Sequence, residues 1–193
     1  MNNLLYVRKA IALLPQTDIN EGKRTLFVTI RSFGFILHQE LFMANILARS
    51  GTKVTMLLDD GQLKHWDTYQ IHNNGVALNP YGSVKLRLQK SVLLALYSHR
   101  NIEIRYLSEF LQNEVYKSIE VNHGDEMNAV SSTRRYFESG GYDESSKEER
   151  AYYNDSIDNI QKVKYAVSQL HGLNQYDAVI YFQDRSAISW SRK

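Results

Sequence analysis

Two short runs of apolar and β-branched residues, Thr25 to Arg31 and Lys53 to Leu58, flank a longer and mostly apolar segment from Ile36 to Ser50 that closes at Gly51. The flanking runs have the composition of strands. The middle segment is too long for a strand and rich in helix formers, so the pattern predicts a βαβ unit. Parallel strands need such a crossover, it is almost always right-handed, and ligands sit at the carboxyl ends of the strands it joins. Those ends carry Arg31, Ser32, Phe33 and Gly34 after the first strand and Asp59-Asp60 after the second.

Within the helix, Ile36, Leu37, Leu41, Met43, Ala44, Leu47 and Ala48 share a broad face, which leaves His38, Asn45 and Arg49 as a narrow polar strip. His38 lies in the first turns, where unpaired N–H groups and a partial positive charge suit a phosphate or a carboxylate. The other reading of His38 is a half-buried histidine bonded to backbone, and both stay open. Gly34 alone stands where a dinucleotide or P-loop turn requires several glycines, which argues against NAD, FAD and ATP enzymes of those types.

Upstream, Met1 to Leu14 has the spacing of an amphipathic helix that ends before Pro15, followed by a polar loop to Arg24. Downstream, residues 62–70 read as a short helix, 72–75 and 79–82 as turns, and 84–97 as a helix. Residues 101–107 read as a third strand suited to a sheet edge, with a helix over 110–119. From 121 to 147 the periodicity fades into a long connection. Ser145 and Ser146 then offer capping boxes with Glu148 and Glu149 to a helix that carries Tyr153, Ile157, Ile160, Val163, Val167 and Leu170 on one face and stops at His171-Gly172. Residues 177–182 form the fourth strand. The expected architecture is an α/β Rossmann-like domain over 25–193, preceded by a lead-in over 1–24, with a parallel sheet ordered 3-2-1-4 and helices on both faces.

A chain of 193 residues, 43% of them hydrophobic, is sized for one core. A net charge of +2 with no basic face argues against nucleic acid, and the lack of cysteine excludes a disulfide framework and thiolate metal sites. Neither a signal peptide nor a spanning segment can be drawn, which fits a soluble, cytoplasmic protein. Asp59-Asp60 reads as a metal site or, by turn chemistry, as a cap. His65, Asp67 and His72 match no zinc spacing, and no metal is expected. The 13 tyrosines suit sugar-binding faces, although most fall at core spacing.

The βαβ opening, Arg134-Arg135-Tyr136-Phe137, Gly141-Tyr142-Asp143, the tyrosine-bearing helix and the strand from Asp177 together resemble the N-terminal domain of GT-B glycosyltransferases of the capsular or exopolysaccharide type. The resemblance runs from about Thr25 to Trp190. It implies an acceptor-side lobe facing a donor-binding lobe, with a nucleotide sugar as donor substrate, no other cofactor, a glycan or lipid-linked acceptor, and peripheral membrane association. By the same resemblance the cleft is lined by Arg31, Ser32, Phe33, Gly34, Arg134, Arg135, Gln183 and Arg185, and His38, Asp143 and Asp184 are candidates for the general base. After the fourth strand the family tends to place a small or histidine-containing element, where this chain has Gln183-Asp184-Arg185. Since the sequence ends soon after Trp190, the donor-binding half is expected from a longer reading frame or a separate subunit. Two further readings are a non-catalytic α/β binding module and a flavodoxin-like regulator with Asp59 as acceptor, the latter disfavoured by the missing lysine-bearing strand.

Overall fold

A computed structural model describes residues 9, 11–13, 16–17, 19–30, 34–64, 72–73, 76–77 and 84–181. Its centre is a four-stranded sheet of β1 (Arg24–Thr29), β2 (Lys53–Leu58), β5 (Ile102–Tyr106) and β6 (Ala178–Ile180), ordered β5-β2-β1-β6 with every pair parallel. This is the expected 3-2-1-4 order. A separate two-stranded antiparallel ladder joins β3 (His72–Asn73) to β4 (Val76–Ala77). Thr25 to Thr29 and Val54 to Leu58 are all buried, and so these strands read as continuous apolar runs rather than as alternation.

Alternate residues of the two central strands feed two cores. Phe27, Val54, Met56 and Leu58 meet Leu37, Leu41, Ala44 and Ala48 of α1 (Gly34–Arg49), together with Tyr97 at the end of α2 (Val84–Leu96). Leu26, Val28 and Leu57 meet Val163, Ala166, Val167 and Leu170 of α4 (Lys147–Asn174). Two crossovers in one direction, β1 to β2 to β5, put α1 and α2 on one face. The return to β6 puts α4 on the other, as right-handed connections require.

The polar strip of α1 is not a solvent face. Asn45 is buried and its Nδ2 donates to the Tyr97 carbonyl at 3.1 Å, while its Oδ1 accepts from Arg49 Nε at 2.9 Å. Met43, expected on the covered side, is exposed, as is Ile46. The segment after β5 differs too. In place of one helix over 110–119 there are 3-10 segments at Leu107–Glu109 and Gln112–Ser118, and Glu114 at φ 52° takes a backbone conformation that a continuing helix excludes.

The long connection contains a full helix, α3 (His123–Tyr136). Its capping box is Asn122 with Asp125, and its buried face is Asp125, Ala129, Ser132 and Thr133. A face without large apolar side chains leaves no periodicity to read. Of the two serines expected to build capping boxes, Ser146 caps α4, its side chain accepting from the Glu149 N–H. The box stays open because the Glu149 carboxylate accepts from the Asp143 N–H at 2.9 Å, and Ser145 bonds Asp143 instead. The helix then passes through Gly172 and ends at Gln175, held at φ 47° with its N–H donating to the His171 carbonyl at 2.9 Å. Replacing Gln175 with glycine removes the steric cost of that left-handed conformation and should stabilise the fold by about 0.5–1 kcal/mol in urea titrations.

Candidate functional site

The carboxyl edge of the sheet is assembled from the residues that follow β1, β2, β5 and β6, and strand order reverses between β1 and β6. After β2, the Asp59 carboxylate accepts from the N–H groups of Gly61, Gln62 and Leu63 at 3.0, 2.8 and 3.3 Å, so it closes the turn. Asp60 reaches sideways and accepts from both the N–H and the hydroxyl of Ser108, tying the end of β2 to the end of β5. From α2, Lys90 donates to the Asp59 carbonyl at 3.1 Å and lies 5.5 Å from the centroid of the Tyr106 ring. Burial lowers the Lys90 pKa, and the charges of Asp59 and Asp60 oppose that shift.

Beside this edge α1 buries an acid. Glu40 is 3% exposed, and its Oε2 has no hydrogen-bond partner among the described residues. Burial pushes its carboxyl up to about 7, against the lowering effect of a hydrogen bond with Thr29 at the end of β1. Glu40 lies three residues after Leu37 and four before Ala44, so the helical register of the core face marks it.

A wall stands over the opposite face of the same edge. At 28 residues α4 spans about 42 Å, roughly twice the length of a six-residue strand. Its last turns lead into β6, where Asp177 and the start of β1 exchange bonds between the Asp177 N–H and the Arg24 carbonyl and between the Arg24 N–H and the Asp177 carboxylate. Val163, Ala166, Val167 and Leu170 share a core with the strands. At the level of the β2 turn, Lys162 donates to the Gln62 carbonyl at 2.9 Å, Asn159 accepts from the Lys64 N–H at 3.0 Å and Asp155 pairs with Lys64 at 2.7 Å. The turns before Asp155 therefore project past the carboxyl edge, and α3 packs along α4 as an antiparallel hairpin that runs from the sheet-packed part to those turns. Lys164 pairs with Asp125 at one end, and Tyr136 stacks on Tyr152 at the other with centroids 4.3 Å apart.

Of the residues singled out from the sequence, Arg31, Ser32, Phe33, Gln183, Asp184 and Arg185 lie outside the described residues. Gly34 opens α1. The half-buried His38 ring tilts against Tyr97, centroids 5.4 Å apart, on the α1 face. Asp143 lies in the α3–α4 turn, on the side of the sheet that α4 covers. It is exposed, and its carboxylate accepts from the Ser145 N–H and hydroxyl, which lowers its pKa. His38 and Asp143 thus ride on elements packed on opposite faces. Arg134 and Arg135 fall in the last turn of α3, and the exposed Arg134 donates to the Gly140 carbonyl at 2.7 Å.

Compared with protein-family models, with curated proteins and with solved structures, the chain finds no match. Among the described residues no helix is long and apolar enough to cross a membrane, and no group of three His, Cys, Asp or Glu side chains is placed to hold a metal ion.

The chemistry at this edge is that of a polar rim with one proton poised near neutrality. Because the Glu40 pKa rises from 4.5 in the unfolded chain to about 7 in the fold, its contribution favours the folded state below pH 4.5 and is lost as pH climbs through that interval. The loss amounts to roughly 3 kcal/mol at full shift. Glu40→Gln should therefore flatten the fall in stability between pH 4.5 and 7 and be the more stable protein at pH 8, as measured by urea unfolding across that range.

Proposed function

We propose that this domain is the acceptor-binding lobe of a glycosyltransferase that uses a nucleotide sugar to build cell-surface polysaccharide. The observation that carries the reading is the reversal of strand order between β1 and β6, a crevice where open parallel sheets bind their ligands, overhung on one side by the α3–α4 hairpin. The segments behind the family resemblance, Arg134 to Phe137 and Gly141 to Asp143, form the tip of that hairpin. The donor is held by a second lobe, in the same polypeptide or another. The reaction removes a proton from an acceptor hydroxyl, which attacks the anomeric carbon as the nucleoside diphosphate leaves. His38, Asp143 and Asp184 are the candidates for that proton's acceptor. The domain works in the cytoplasm, associated peripherally with the membrane that carries lipid-linked acceptors.

A second reading, a binding module without chemistry, is favoured by one feature of the same edge. The carboxylates of Asp59 and Asp60 are taken up by backbone amides and by Ser108, which suits a structural rim.

Backbone NMR titration separates the readings. With neutral acceptor oligosaccharides, shifts are expected at Ile30, Gly34, Ser108 and Tyr181, and with UDP- or GDP-sugars none of comparable affinity. Tight nucleotide-sugar binding by this chain alone overturns the lobe assignment. Saccharide binding that no added donor-binding partner converts into transfer leaves the binding module.

A further inference from the structure

Away from the sheet edge, α3 and the start of α4 line an open hollow of about 580 Å³. One helical stripe of α3 supplies His123, Glu126, Met127 and Val130, the turn supplies Tyr142 and Glu144, and α4 supplies Arg150, Tyr153 and Asn154. Tyr142 and Tyr153 stack with centroids 5.2 Å apart and rings inclined by 22°, which fixes a rigid aromatic wall across the hollow.

The charged groups around that wall are of both signs and come close to cancelling. Glu126 has a partner in His123 at 3.7 Å when the imidazole is protonated. The side chains of Glu144 and Arg150 make no hydrogen bond or ion pair among the described residues, yet the charges of both act on Tyr142. Two carboxylates, one guanidinium, one imidazole and one amide therefore face the tyrosine pair, a formal net charge of −1 with the imidazole neutral. A strongly cationic or anionic ligand meets an opposing like charge here. A neutral ring bearing alternating hydroxyls on its rim and C–H groups on its face satisfies donors, acceptors and aromatic surface together.

We propose that this hollow is a saccharide-binding groove, taking one or two neutral sugar units with Tyr142 and Tyr153 as the stacking wall and Glu144, Arg150 and Asn154 as hydroxyl partners. As a contact for the acceptor chain beside the α3–α4 turn, it rests on the function proposed above for its biological role. The chemistry of the groove does not depend on it.

The test is a ¹⁵N-resolved titration of the whole chain with neutral tetrasaccharides of glucose, galactose and N-acetylglucosamine, beside 1,4-diaminobutane and succinate as charged probes. At least one saccharide should shift the amides of Glu126, Glu144, Arg150 and Asn154. Tyr153→Ala should weaken that response at least tenfold, and the exposed substitutions Arg150→Ala and Glu144→Gln, which leave the stack in place, should each weaken it about threefold to tenfold. Saccharide shifts confined to the carboxyl edge overturn the groove and leave the acceptor-lobe reading standing. Shifts confined to the groove support it and count against that reading, and silence at both sites removes both. Preference for the diamine or the diacid over every saccharide, or binding unchanged in both exposed variants, also overturns the groove.

Discussion

Strand β1 has to be covered on both faces. Thr25 to Thr29 are buried without exception, with Phe27 pressed into one helical layer and Leu26 and Val28 into the other. Burying three such side chains contributes on the order of several kcal/mol, and none of that is realised unless helices lie on both sides of the sheet. The topology follows from this demand. Neighbours must pair in parallel, α1 and α2 must take one side, and the chain must return on the far side of β1 through α4 to supply the second layer.

That frame decides how much could be read in advance. Apolar runs with a helix between them announce β1, α1 and β2, because buried strands have no polar alternation to confuse the pattern, and crossover chirality then sets the face each connecting helix takes. Where burial is done by small or polar groups the signal vanishes. The inward face of α3 is Asp125, Ala129, Ser132 and Thr133, so a 14-residue helix has the look of a loop. The polar strip on α1 misleads for the converse reason, since Asn45 is spent on the Tyr97 carbonyl and Met43 faces outward in its place.

The candidate site was legible by position and far less by chemistry. The rule that ligands gather at strand carboxyl ends picks out an edge whose strand order the structure shows, and turn chemistry anticipates Asp59 as a cap. The partnership of Asp60 with Ser108 joins residues 48 positions apart, and the approach of Lys90 to Asp59 spans 31. No local pattern encodes such distances. Glu40 was accessible to a stricter reading of helical register, being an acid set between Leu37, Leu41 and Ala44 on the covered face.

Because α4 is one uninterrupted rod, its lower turns are fixed to the sheet while its upper turns carry the tyrosine stack. Asn159, at the height of the β2 turn, and Tyr153 are six residues apart, an axial offset of about 9 Å. The distance between the tyrosine stack and the strand ends is thus set by a single rigid element, and no loop movement can change it.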